Sequence, residues 1–118
     1  MIQDIVIRAM DEKDIEAAIT LWRQCFSPES SAHSETPEII ARYLRCNPGL
    51  STVACTAGGR LIGTLICGHD GRRGSLFHAA VDAAFRRRGI ADAMQRRAIE
   101  ALRADGIEPV LVLDDVFA

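Results

Sequence analysis

The segment from Val81 to Ala91, Val-Asp-Ala-Ala-Phe-Arg-Arg-Arg-Gly-Ile-Ala, constrains the fold more than any other part of the sequence. It is typical of the end of a buried strand, a turn rich in arginine, and a helix that starts at Gly89. The first backbone N–H groups of a helix have no partner within the helix, and the helix dipole places partial positive charge there. Gly89 and the small Ala91 keep side chains away from these groups. The segment therefore predicts an anion site, and a nucleotide-like cofactor with a pyrophosphate is our first interpretation.

Length and charge narrow the class of protein. The 118 residues suffice for one hydrophobic core, so we expect residues 1–118 to form a single domain. The net charge of −2 makes the arginines a local feature of a mildly acidic chain. This argues against a general nucleic-acid or membrane-surface binder, which usually has a basic balance. A nucleic-acid contact remains the alternative interpretation of five arginines, and the lack of interleaved aromatic residues argues against it: Arg86, Arg87, Arg88, Arg96 and Arg97.

The cysteines and the apolar runs predict the cellular compartment of the protein. Cys25, Cys46, Cys55 and Cys67 lie far apart and form neither a CxxC pair nor a Cys/His cluster, so no zinc site or redox motif is predicted. We expect free, buried thiols in a reducing compartment. No apolar run reaches the ~18 residues of a membrane span, and the N-terminus has no export signal. The sequence thus predicts a cytoplasmic protein without membrane contact or a bound metal.

Hydrophobic periodicity and turn residues predict the element order β-α-α-β-β-β-α-β. Helices are expected after the Asp11 cap, from the Thr36-Pro37 start to about Cys46, and from Gly89 to Ala104. Strands are expected at Asp4–Ala9, Ser51–Thr56, Arg60–Gly68, Ser75–Val81 and Pro109–Leu113. Three antiparallel strands followed by a β-α-β crossover give an α/β (α+β) fold with a mixed, mostly antiparallel sheet.

The predicted order also carries a family resemblance. The motif Arg86-x-x-Gly89-x-Ala91, between the fourth strand and the third helix, resembles the Gln/Arg-x-x-Gly-x-Gly/Ala hallmark of the GNAT superfamily of N-acetyltransferases. Together with Ile19–Trp22 and Asp70–Ser75, the motif is similar to the small YpeA-like bacterial branch. The resemblance spans nearly the whole chain, from the first strand to the fifth, and implies a GNAT-like fold.

The resemblance implies acetyl-CoA (CoA) as the cofactor, with its pantetheine arm between the separated fourth and fifth strands. The main chain of Ala79, Ala80 and Val81 is then expected to pair with that arm. Core packing alone is the alternative reason for the small side chains of Ala79 and Ala80. The residues expected at the pyrophosphate begin at the first arginine of the motif and end at a flanking acid: Arg86, Arg87, Arg88, Gly89, Ile90, Ala91 and Asp92.

The implied reaction is direct acyl transfer to the amine of a small molecule or peptide. A backbone N–H near Ala80 would stabilise the oxyanion, and a base must take the ammonium proton. In several relatives this base lies shortly before the position of Ala79, where this sequence has Phe77 and Ser75. His78 lies between them, and strand alternation predicts it on the opposite face. His78 is the catalytic candidate, and a structural histidine is the alternative.

Other polar residues near the predicted site are weaker candidates. His69 with Asp70 forms a second His–carboxylate combination at a hairpin end. His33, Glu29 and Glu35 lie in the loop between the first two helices, where relatives shape the acceptor pocket. The two acids would attract a cationic amine, and a solvated acidic loop is the alternative interpretation.

Family members usually continue past the fifth strand, and that continuation often supplies a tyrosine as general acid. Here the single tyrosine, Tyr43, lies in the second helix. We therefore expect a fold truncated after the fifth strand, with an unpaired edge that a homodimer covers. An acyl-CoA-binding protein with little or no transferase activity is the alternative function.

Overall fold

A computed structural model describes residues 4–108 and 111–116. Its strands form one sheet in chain order. The first four strands pair antiparallel, and the fourth pairs with the fifth in parallel, which confirms the mixed, mostly antiparallel sheet. The strands are β1 (Ile5–Ala9), β2 (Thr52–Thr56), β3 (Leu61–His69), β4 (Gly74–Val81) and β5 (Leu111–Val116).

The helices are α1 (Ile15–Cys25), α2 (Pro37–Cys46) and α3 (Ile90–Ala104). Of these, α2 begins at a side-chain cap, whereas α1 and α3 begin without one. The Thr36 hydroxyl accepts a hydrogen bond from the backbone N–H of Ile39, so α2 starts where predicted. Asp11 caps a 3-10 turn that precedes α1 rather than α1 itself. Two further 3-10 turns lie in segments for which the hydrophobic periodicity predicts neither a helix nor a strand: Ser31–Ser34 and Ala83–Phe85.

The sheet separates two hydrophobic clusters. On one face α1 and α2 pack against the strands, with Trp22 and Ile40 buried beside Ile66. On the other face α3 contributes Met94 and Leu102. Burying these side chains is the main favourable contribution to folding, and it fixes α3 against the sheet.

Strand β4 contains a bulge that changes which side chains face α1. Thr64 pairs with Ala80 and Ile66 with Phe77, so one residue of β3 lies opposite two residues of β4. His78, with a φ of 51°, is one of those two. The extra residue breaks the alternation of side chains. His78 therefore lies on the same face as Phe77, and the prediction that it points to the opposite face is wrong.

Two other expectations change with the structure. The fifth strand runs from Leu111 to Val116 because it pairs in parallel with β4 over that length, and the predicted start at Pro109 lies outside the described residues. Of the four thiols predicted to be buried, Cys25 is only half-buried. The prediction of buried thiols is correct for Cys55 and Cys67, and burial raises the pKa of the Cys67 thiol to about 12. It is wrong for Cys46, which is exposed at the last position of α2.

No helix within residues 4–108 is both long and apolar enough to cross a lipid bilayer.

Candidate active site

A hollow of about 280 Å³ opens where β4 ends and α3 begins. Most of the residues that the sequence assigned to the cofactor line it, and Ala79, Ala80 and Arg88 do not. Its volume suits part of a ligand, since whole small-molecule pockets measure roughly 300–1,000 Å³. The lining comprises Val81, Phe85, Arg86, Arg87, Gly89, Ile90, Ala91 and Asp92.

The backbone at the start of α3 suits an anion. Gly89 has a φ of 79° and precedes the first helical residue, Ile90. A Cβ at Gly89 would meet no atom within 4 Å, so glycine is required there for its conformation and the space above it is open. The first N–H groups of α3 have no acceptor within the helix. The hollow and these amides therefore fit a diphosphate.

Arg86 and Arg88 of the motif make local contacts within the protein. The Arg86 Nε–H donates to the Val81 carbonyl oxygen at 3.0 Å, and one of its terminal nitrogens lies 3.9 Å from the Cys25 sulfur. The Arg88 guanidinium lies 5.2 Å from the centre of the Phe85 ring. Arg86 thus engages a main-chain group that the resemblance assigned to the pantetheine arm.

The three β4 residues assigned to that arm differ in their surroundings. Ala79 is in register with Val116 of β5, whereas Ala80 and Val81 pair with β3. Ala79 and Ala80 are fully buried, in the α3-side and α1-side clusters respectively. Any gap between β4 and β5 beyond Val116 lies outside the described residues.

His78 lies in an aromatic enclosure against α1. Its ring centre is 4.9 Å from those of Trp22 and Phe77 and 5.9 Å from that of Phe26. Only 2% of the residue is exposed. Its Nε2 lies 3.2 Å from an oxygen of Glu35, whose side chain is 18% exposed. The structure thus brings His78 and Glu35 into contact, although the sequence named them as separate candidates. Through Glu35 the buried imidazole ring is connected to the surface.

Glu35 also borders an apolar cavity of about 210 Å³ between α2 and β4. The Tyr43 ring packs edge-on against Phe77 in its wall, with ring centres 5.2 Å apart, and burial raises the Tyr43 pKa to about 12. Sequence reasoning missed this cavity, although the apolar residues of α2 were a signal. Its lining is Glu35, Ile39, Ile40, Arg42, Tyr43, Cys46 and Phe77.

The remaining candidates make structural contacts. The backbone N–H of Gly71 donates to Nδ1 of His69, and Nε2 of His69 lies 3.2 Å from Asp105, so His69 pairs with α3 rather than with Asp70. His33 forms a hydrogen bond with the Phe26 carbonyl. Two larger hollows, of about 450 and 390 Å³, contain none of the predicted cofactor or catalytic residues. Among residues 4–108 no cluster of His, Cys, Asp and Glu could hold a metal ion.

Comparison with known proteins places this geometry in a family. Residues 15–118 match the acetyltransferase (GNAT) family. The sequence is 36% identical over 107 residues to acetyltransferase plu1384 of Photorhabdus laumondii, covering 91% of this chain and 73% of that protein. It is 39% identical over 101 residues to acetyltransferase ECA0875 of Pectobacterium atrosepticum, covering 85% and 69%.

A solved structure agrees at the level of the fold. The PaiA N-acetyltransferase of Thermoplasma acidophilum, determined in complex with coenzyme A, matches with a TM-score of 0.73 at 18% identity, over 87% of this chain and 74% of that one. The fold and the relatives define an acetyltransferase. This chain belongs to the GNAT family, and its place in the YpeA-like branch stays a prediction.

Proposed function

We propose that this protein is an acetyl-CoA-dependent N-acetyltransferase that acts on the primary amine of a small molecule or peptide. One observation carries the proposal: the hollow at the start of α3 gathers the residues of the Arg86-x-x-Gly89-x-Ala91 motif around open backbone amides. Membership of the GNAT family supports it. We also propose a cytoplasmic location.

In this proposal the chain holds the cofactor by its main chain and its arginines. The amides of Gly89, Ile90 and Ala91 bind the pyrophosphate, and the adjacent arginines of the motif supply mobile positive charge. The main chain of Ala79 to Val81 lies along the pantetheine arm. Acetyl-CoA would supply an acetyl thioester. The amine nitrogen bonds to the acetyl carbon, the carbon–sulfur bond breaks, and the proton that the nitrogen loses after the attack goes to the departing CoA thiolate.

The ammonium proton must leave before the nitrogen can attack, and we assign this to His78 and Glu35. Glu35 is the more exposed end of the pair, and it lines the cavity that Phe77 of β4 also lines. His78 is too buried to meet solvent directly, so the proton reaches its ring through the Glu35 carboxylate. The Trp22 and Phe77 rings hold the imidazole in place and exclude water from it.

The cofactor site is tested by Gly89→Glu. A carboxylate at the start of α3 repels a diphosphate, so we expect CoA and acetyl-CoA affinity, measured by calorimetry, to fall at least about a hundredfold. Gly71→Glu is the matched control, since Gly71 also has a positive φ and open space around its Cα, but lies in the β3–β4 turn. Thermal unfolding shows that both variants fold. Unchanged CoA affinity in Gly89→Glu would refute the assignment.

A second measurement distinguishes the proposed transferase from the alternative function, which is acyl-CoA binding without transfer. Wild-type chain with bound acetyl-CoA is given a panel of amines, and released CoA and acetylated amine are quantified by chromatography. Product formation supports the transferase. Tight acetyl-CoA binding with no acetylated product from any amine supports the binding protein instead.

A further inference from the structure

The apolar cavity of about 210 Å³ between α2 and β4 has a wall of packed aromatic rings. Its inner wall is Tyr43 against Phe77, and the Tyr43 ring lies so close to Gly68 of β3 that a side chain there would collide with it. The wall is therefore fixed before any ligand arrives. Its outer rim includes Ile39, which is 48% exposed and is one of two large apolar side chains with such exposure in the described residues.

Glu35 and Arg42 are the charged residues in the lining of this cavity. Glu35 contributes a carboxylate that also contacts His78, and Arg42 is exposed on α2. A carboxylate at the mouth of an apolar cavity attracts a cation whose remaining part is apolar. The Glu35 carboxylate also contacts His78, whose imidazole is the proton acceptor in the proposed function. An ammonium group bound at Glu35 would therefore lie next to its proton acceptor.

We propose that this cavity binds the apolar group of the acceptor, so that the acceptor is a primary amine bearing one aryl or branched alkyl group. The inference rests on the proposed function and adds the class of amine. A volume of about 210 Å³ admits one such group and is too small for several. The ammonium group lies at Glu35 and the apolar group lies between Ile39 and Phe77.

Cys46 reports occupancy without any need for activity. It is exposed and lines the cavity, whereas Cys55 and Cys67 are buried. The rate of its alkylation by N-ethylmaleimide is followed by peptide-level mass spectrometry, which counts Cys46 separately from the half-buried Cys25. The chain is used without CoA, because the CoA thiol would consume the reagent, and 2-phenylethylamine or ethylamine is added at equal concentrations. We expect 2-phenylethylamine to protect Cys46 at a concentration about tenfold or more below that of ethylamine, because only the aryl group is buried.

A matched pair of variants tests whether the protection of Cys46 depends on this cavity. Ile39→Lys places a cation at the rim and is expected to abolish protection by 2-phenylethylamine. Val6→Lys makes the same kind of change at a side chain that is 47% exposed on β1, away from the cavity, and is expected to leave protection intact. A third ligand, phenylalanine, shows whether Arg42 adds affinity for a carboxylate beside the amine.

The outcomes separate this inference from the proposed function. Protection by 2-phenylethylamine that Ile39→Lys removes and Val6→Lys retains supports the inference. Equal protection by both amines, or no protection, overturns it, even if the enzyme acetylates ethylamine. If protection is selective but no amine is acetylated, the cavity binds as inferred and the proposed transferase function fails.

Discussion

Asp14 shows how one side chain secures the start of α1. Arg8 donates to both of its carboxylate oxygens at 2.8 Å, and the Asp11 backbone N–H donates at 2.9 Å. Burial raises the Asp14 pKa, but the hydrogen bonds and the positive charge of Arg8 lower it more in sum, so the pKa lies below its usual value. The pair ties β1 to the turn before α1.

The lowered pKa of Asp14 predicts the direction in which the stability of the fold changes in acid. A carboxylate whose pKa is lower in the folded state stabilises the fold above its unfolded pKa of about 4, and the contribution is lost as the pH falls through the folded value. We expect Asp14→Asn to lower the free energy of unfolding at pH 7 by about 1–3 kcal/mol, because Arg8 loses its partner.

The measurement is denaturant unfolding from pH 7 down to pH 2. The loss of stability below pH 4 is expected to be shallower in Asp14→Asn than in the wild type. Glu12→Gln is the control, since Glu12 pairs with Arg45 in solvent and exposed ion pairs contribute little. A wild-type acid profile in Asp14→Asn would contradict the role given to this carboxylate.

At the scale of elements, the starts of α2 and α3 were predictable, and the start of α1, the end of β5 and the bulge in β4 were not. Thr36 with Pro37, and Gly89 with its positive φ, are local signals that fix the starts of α2 and α3. The bulge depends on how β4 pairs with β3, and alternation within β4 carries no information about that register. For the same reason the sequence named His78 and Glu35 but could not pair them.

The bulge leads to a prediction about the proton path. His78→Gln and Glu35→Gln are each expected to lower kcat by about 10²–10⁴-fold while the affinity for acetyl-CoA is unchanged, because neither residue lines the cofactor hollow. Glu35→Gln should also alter the pH dependence of kcat, and Glu35→Asp should restore part of the rate.

His69→Gln is the control, since His69 is bonded to the β3–β4 turn and α3 away from the site. Thermal unfolding of each variant is compared first, because His78 is buried. A folded His78→Gln enzyme with wild-type kcat would make His78 a structural histidine.

At the scale of the whole molecule, β1 and β5 are the two edge strands of the sheet that the described residues form. In the described part of the chain β5 pairs with β4 alone, and β1 forms the opposite edge. Edge strands carry backbone N–H and C=O groups that can pair with another chain. We propose that two copies associate along β5, which extends the sheet across the dimer.

Light scattering at micromolar concentration is expected to give the mass of a homodimer. Val6→Lys, on β1, should leave that mass unchanged, because the other edge forms the contact. A monodisperse monomer contradicts the proposal. A dimer that Val6→Lys dissociates places the contact on β1 and contradicts the assignment to β5.

The hydrogen bond from Arg86 to the Val81 carbonyl determines where one positive charge of the motif lies. The Arg86 Nε–H donates to this oxygen at 3.0 Å, and a carbonyl oxygen has a second lone pair, so a ligand that donates to the same oxygen need not displace the guanidinium. We therefore expect Arg86 to keep its charge at the carboxyl end of β4, beside the hollow, before and after a ligand binds there.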